Sequence, residues 1–79
     1  MQQAMTKKSS LTVREYEVVR ELRKGHTNRL IAEVMGISSE TVKSHVSNIF
    51  RKLEFFNRSQ VANYFTDEEL TERLKHTMR

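Results

Sequence analysis

The chain has 79 residues, no cysteine and a formal charge of +4. That length allows one small domain with a modest core, because chains of this size bury only about 60% of the surface they expose when unfolded. Without cysteine there is no disulfide framework, thiolate metal site or thiol nucleophile, which fits a reducing cytoplasm, and no apolar run reaches the length of a signal segment or a membrane span. The charge is unevenly placed. Residues 1–65 hold eleven Lys and Arg against six acids, whereas residues 66–79 hold three against four. The basic excess suits a phosphate-bearing partner without requiring one.

Residues 1–10, MQQAMTKKSS, show no hydrophobic period and read as a flexible tail; Lys7 and Lys8 could reach a phosphate, but a solvated tail accounts for them as well. A first helix opens at Thr12 with a capping box, Thr12 covering the amide of Glu15 and Glu15 reaching back to the Thr12 amide. Leu11 can staple onto Tyr16. Val18, Val19 and Leu22 continue the inward stripe, while Arg14, Glu17, Arg20, Glu21, Arg23 and Lys24 read as mostly outward. Gly25 ends the helix. Glu15 and Glu17 lie two apart and cannot share a helix face, so capping and solvation explain them better than acid/base chemistry.

A second helix follows Thr27, its cap, with Asn28 and Arg29 in the first turn. Free amides at a helix start attract anions, so Thr27 and Asn28 are phosphate-clamp candidates, with plain capping the competing explanation. Ile31, Ala32, Met35 and Ile37 mark its apolar side, and Gly36 stands where the helix must stop and the chain reverse in a left-handed conformation. Ser38 caps a third, longer helix whose Val42, Val46, Ile49, Phe50 and Leu53 repeat at helical spacing. Ala four residues before the turn glycine and an apolar residue six after it meet the packing demand of a helix-turn-helix. The outward face of the third helix carries Ser39, Glu40, Lys43, Ser44, Ser47, Asn48 and Arg51. Short hydrogen-bonding side chains among long cations suit a helix laid in a major groove, where Lys can donate to guanine O6 or N7. An ordinary solvated face is the competing reading.

The residues now carry a resemblance. Leu11-Thr12-x-Arg14-Glu15-x-Glu17-Val18, Gly25-x-Thr27-Asn28-x-x-Ile31-Ala32, Ile37-Ser38-x-x-Thr41-Val42-Lys43-x-His45-Val46-x-Asn48-Ile49 and Lys52-Leu53-x-x-x-Asn57-Arg58 stand in order at the right spacing. Together they resemble the LuxR/FixJ-type (GerE-like) helix-turn-helix DNA-binding domain of bacterial transcription regulators, over residues 11–65. The resemblance implies an all-α, four-helix domain that binds double-stranded DNA as a homodimer, usually behind a receiver or autoinducer-sensing domain, though short stand-alone members exist. Carried over by position, it implies Lys43, Ser44 and Ser47 as base-reading residues, and Thr27, Asn28, Ser38, Thr41, Arg51, Asn57 and Arg58 as phosphate contacts. Half-sites about one helical turn, roughly 10 bp, apart follow for a dimer.

Two stretches depart from the family pattern. Glu54, followed by Phe55 and Phe56, replaces the usual glycine after Lys-Leu, so the third helix must end through a strained residue or run on slightly. At least one of the two Phe belongs in the core. Asn57 reads as the cap of a fourth helix with apolar Val61, Ala62, Tyr64 and Phe65. Some of that apolar side should pack on the first helix; the resemblance implies the remainder of these four as a two-fold interface, and full burial within one copy explains them equally well. Residues 66–79 lie beyond the resemblance. Thr66-Asp67-Glu68-Glu69 reads as another capping box, with Leu70, Leu74 and Met78 at helical spacing, so a C-terminal helical extension is expected. Its stripe could cover the core, extend a dimer contact or bind another protein.

His26, His45 and His76 lack metal-ligand spacing, no cofactor motif is present, and no serine has an oriented base, so neither a metal site nor an enzyme is expected. His45 reads as a hydrogen-bonded structural residue at the core margin. The reading is a sequence-specific transcription regulator. Two alternatives stay open: a sigma-factor region-four-like module, and a protein-interaction module that sequesters another regulator through Phe55, Tyr64, Phe65 and the tail helix. With no sensory segment visible, control would come through abundance, dimerisation or a regulatory protein partner, unless the chain is a fragment of a longer regulator.

Overall fold

In the computed structural model of the chain, which describes residues 8–75, five helices and their connections form the described fold. They are α1 (Val13–Arg23), α2 (Asn28–Met35), α3 (Ser39–Leu53), α4 (Arg58–Tyr64) and α5 (Asp67–Lys75). Residues 1–7, with Lys7, and residues 76–79, with His76 and Met78, lie outside the described part.

Local side-chain chemistry sets most of the boundaries. At α1 the Glu15 amide donates to Thr12 Oγ1 at 3.1 Å and the Thr12 amide to Glu15 Oε1 at 2.8 Å, which completes the expected capping box. Thr66 and Glu69 make the same reciprocal pair at α5, both bonds at 3.0 Å. Between α2 and α3, Gly36 adopts φ 68°, ψ 36°, and the chain turns there into the Ser38 cap.

Of the two ends left open for α3, a strained residue or a helix that runs on, the structure takes the strained one. Glu54 has φ 61°, ψ 41°, the one left-handed non-glycine residue among those described. The Phe55 amide still reaches the Phe50 carbonyl at 3.0 Å, so the terminal carbonyls of α3 are satisfied as they would be behind a glycine. A Cβ in this conformation costs roughly 1 kcal/mol.

α1 is the hub. It packs against α3, α4 and α5, while α2 packs against α3. Val18 and Val19 of α1 are fully buried and meet Ile31, Val42, Ile49, Leu53, Val61, Phe65, Leu70 and Leu74 in one core. Leu70 and Leu74 therefore put α5 into the core of the single copy, and the third use considered for its stripe, binding another protein, loses the residues it needed. Tyr16 and Phe65 meet edge to face with centroids 5.8 Å apart, a geometry that adds to the burial of both rings.

Several side chains expected at the surface instead tie elements together. Lys8 was placed in a solvated tail; its ammonium lies 2.6 Å from Glu69 and 4.4 Å from the centre of the Tyr64 ring, and its carbonyl accepts from the Tyr16 hydroxyl at 2.5 Å. Arg23, read as outward, donates to the Ala62 and Phe65 carbonyls at the end of α4 and lies 2.8 Å from Asp67. Glu15 is almost fully buried, and its second partner is Lys52 at 2.8 Å, which joins the end of α3 to the start of α1.

Two outcomes follow from this packing. Glu54→Gly should raise stability by about 1 kcal/mol, read as a higher denaturation midpoint at unchanged m-value. Leu70→Ala should cost about 2–5 kcal/mol by the same measurement; a loss near zero would mean α5 is not part of the cooperative unit.

Candidate nucleic-acid interface

One stripe of α3 is held down and the opposite one is open. Val42, Val46, Ile49 and Leu53 are buried, and Lys43, Ser44, Ser47 and Arg51 are exposed. At 100° per residue these four exposed positions share a side of the helix. The three expected base-reading residues are thus brought together on one accessible surface. The Lys43 side chain is 64% exposed, and its nearest acid, Glu40, stands 4.0 Å away and is more exposed still. A pair of that kind in water contributes little and leaves the ammonium available to another acceptor. The Arg51 guanidinium donates to Asn48 Oδ1 at 2.6 Å, which steers it along the helix surface.

The expected phosphate residues divide into helix caps and a bridge. Thr27 Oγ1 accepts the Leu30 amide at 3.2 Å, Ser38 Oγ the Thr41 amide at 3.0 Å, and Asn57 Oδ1 the Gln60 amide at 2.9 Å. Capping uses acceptor capacity, so the hydroxyl protons of Thr27 and of the Ser38–Thr41 pair, 2.9 Å apart, leave donor capacity for an anion. Arg58 is half-buried and donates to Asn28 Oδ1 at 2.9 Å and to the His26 carbonyl. Asn28 and Arg58 open α2 and α4, so this bridge brings two helix starts and a guanidinium to one corner. Their combined field favours an anion. Arg58 is therefore also a structural tie, which its position in the sequence did not reveal.

The corner rests on a buried carboxylate that the sequence reading put outside. Glu21 is only 2% exposed; it accepts from His26 Nδ1 at 2.8 Å and lies 3.5 Å from Arg20 and 3.6 Å from Lys24. Burial pushes its pKa up, but the His26 hydrogen bond and the charges of Lys24, Arg20 and His26 outweigh burial and hold it below the ordinary carboxylate value. No sequence signal separates Glu21 from its solvated neighbours, because its partner arrives only when the loop after Gly25 folds back. His45 is half-buried beside the α3 core stripe. Among the described residues, no group of three or more His, Asp or Glu is placed to hold a metal, and no helix is long and apolar enough to cross a membrane.

The apolar side of α4, weighed for a two-fold interface, divides. Val61 and Phe65, fully or almost fully buried, belong to the core of the single copy, where α1 covers them. Ala62 and Tyr64 are half-buried, Tyr64 packing edge to face on Phe55 with centroids 5.1 Å apart. What α4 leaves outward is polar: Ser59, Gln60 and Asn63. The sequestering module imagined for Phe55, Tyr64 and Phe65 loses Phe65 to the core for the same reason.

A buried-stripe helix behind a glycine turn, packed on α1 and α2 and presenting a polar and basic row, is the architecture of a helix-turn-helix domain. The pattern of the family described as "Bacterial regulatory proteins, luxR family" matches residues 9–65, and the chain belongs to that family. Curated relatives include the "Probable transcriptional regulator ycf29" of Guillardia theta, 45% identical over 56 residues, which are 71% of this chain and 27% of that protein. The "Monoamine regulon transcriptional regulator" of Klebsiella aerogenes is 45% identical over 53 residues, 67% of this chain and 23% of its own length. The "Nitrate/nitrite response regulator protein NarP" of Escherichia coli is 50% identical over 54 residues, 68% and 24%. The chain thus spans about a quarter of these relatives. No solved structure matches it. With the family established, the sigma-factor alternative falls away.

The buried Glu21 generates a pH dependence. Its folded pKa lies below its unfolded one, so its contribution is present above the ordinary carboxylate range and is lost as pH falls through the folded value. Stability of the wild type should fall on acidification below that range. Glu21→Gln should be less stable at neutral pH and show a shallower acid limb in denaturant titrations; parallel limbs would remove Glu21 from the account.

Proposed function

We propose that the chain is the DNA-reading part of a transcription regulator, binding duplex DNA sequence-specifically with α3 in the major groove. Lys43, Ser44 and Ser47 read base edges. Arg51, together with the capped helix starts at Thr27, Ser38–Thr41 and Asn57 and the Asn28–Arg58 corner, fixes the register on phosphates. The observation that carries this reading is the alignment of Lys43, Ser44, Ser47 and Arg51 on the exposed side of a helix whose other side is anchored in the core. Small side chains at 44 and 47 permit close approach of the helix to the bases, and Lys43 supplies a donor with no strong competing partner.

Two copies on two-fold related half-sites complete the proposal. The outward side of α4, Ser59, Gln60 and Asn63 with the half-buried Ala62 and Tyr64, is the surface open to a second copy. Such a contact would be polar and small, so pairing would form chiefly on DNA, where both copies are already held by phosphates.

Selection of bound duplexes from a random pool tests both parts, with a two-fold symmetric consensus as the expected product. On that consensus Lys43→Ala should lose about 1–3 kcal/mol of binding relative to random duplex. Equal losses on the two would exclude Lys43 from base reading.

A further inference from the structure

At the C-terminal end of α3 lies a shallow hollow of about 490 Å³, lined by Ser47, Phe50, Arg51, Glu54, Phe55 and Phe56. No role assigned so far involves Phe56. Ser47 and Arg51 belong to the exposed row of α3, so the hollow continues the proposed DNA surface rather than lying apart from it. Phe56 stands there 86% exposed. Hydrophobic groups scattered singly on a surface are ordinary, so what singles out this ring is its place beside Arg51 at the end of the exposed row of α3. The ring does not sit on slack chain: the Phe56 amide donates to Gln60 Oε1 at 2.6 Å, and the Asn57 amide donates to the same oxygen at 3.2 Å. The turn is pinned by the side chain of the following helix while the ring is left projecting.

The geometry points to Phe56 as a DNA contact: the hollow takes a stretch of sugar–phosphate backbone bordering the groove that α3 enters, with Arg51 on the phosphate and Phe56 against the apolar face of the deoxyribose. This rests on the DNA-binding reading above and extends it. Arg51 lies one helical turn beyond Ser47 and two beyond Ser44, so the end of α3 leaves the bases and meets the strand at the groove edge. That strand offers alternating anionic and apolar surface, and the hollow offers a guanidinium beside aromatic rings. Glu54 on the same wall opposes the phosphate and offsets part of the Arg51 attraction.

Salt dependence separates this contact from the ionic ones. Binding of the full chain to a duplex carrying one selected half-site is measured against NaCl concentration for the wild type, Phe56→Ala, Phe56→Lys and Arg51→Ala. Phe56→Ala should weaken binding about tenfold at every salt concentration and leave the slope unchanged, since no counterion is released by a ring. Arg51→Ala should reduce the slope by about one, and Phe56→Lys should steepen it by about one because the new ammonium would meet a phosphate. Thermal melting of Phe56→Ala should match the wild type, as the ring is exposed in the free protein. Half-site affinity unchanged in Phe56→Ala, or a slope unchanged in Phe56→Lys, overturns the inference while leaving the DNA reading intact. Loss of paired binding to a duplex carrying both half-sites, with unaltered affinity for a single half-site, also overturns it and assigns the ring to a second copy. A wild type that binds no duplex at all would remove both.

Discussion

Everything that α3 can do depends on the seating of its buried stripe. Val42, Val46, Ile49 and Leu53 anchor the helix against α1 and α2, and a helix so held presents its other side in one orientation only. Specific readout needs that constraint, because a base-reading side chain gains little if the helix carrying it can roll. The Lys52–Glu15 pair reinforces it at the far end. A buried carboxylate with one cation and one backbone amide as partners is costly to break, so it fixes the pairing of α1 with α3 even where its net contribution to stability is small.

The remaining polar ties act on the other elements in the same way. Arg23 closes the junction of α4 and α5 onto α1, Arg58 closes α4 onto the loop before α2, and Lys8 lies over the rings at the end of α4. Much of the chain's positive charge is thus engaged within the fold. The cations exposed on the helix-turn-helix are fewer than the composition suggests, and Lys43 and Arg51 stand out among them by position rather than by number. Net charge pointed toward a phosphate partner; the arrangement of ion pairs decides which cations remain to meet it.

α5 shows how the family pattern and the folded unit can differ in extent. The pattern ends at residue 65, yet Leu70 and Leu74 lie in the same core as Val18 and Val61. For a domain this small, two further buried leucines are a substantial share of the apolar surface removed from water. The strained Glu54 is tolerated for a related reason: Phe55 takes up the terminal carbonyl of α3 and packs on Tyr64, so the corner forms without glycine.

The sequence alone determined the helices, their caps, the left-handed corner at Gly36, and the outward row of α3. Each of these is a local matter of periodicity, hydroxyl or carboxylate placement within four residues, or backbone sterics. Only the tertiary structure decided that Glu21 is buried while its neighbours are not, that Arg58 bridges to Asn28, that Val61 and Phe65 serve the core of one copy, and that Phe56 stays in water beside Arg51. Those outcomes depend on how the loop after Gly25 and the turn after Glu54 fold back, on a partner 30 residues away for Arg58, and on which side of α4 faces α1. A single amphipathic stripe cannot say whether its cover will come from the same chain or from another molecule, because burial rewards both alike.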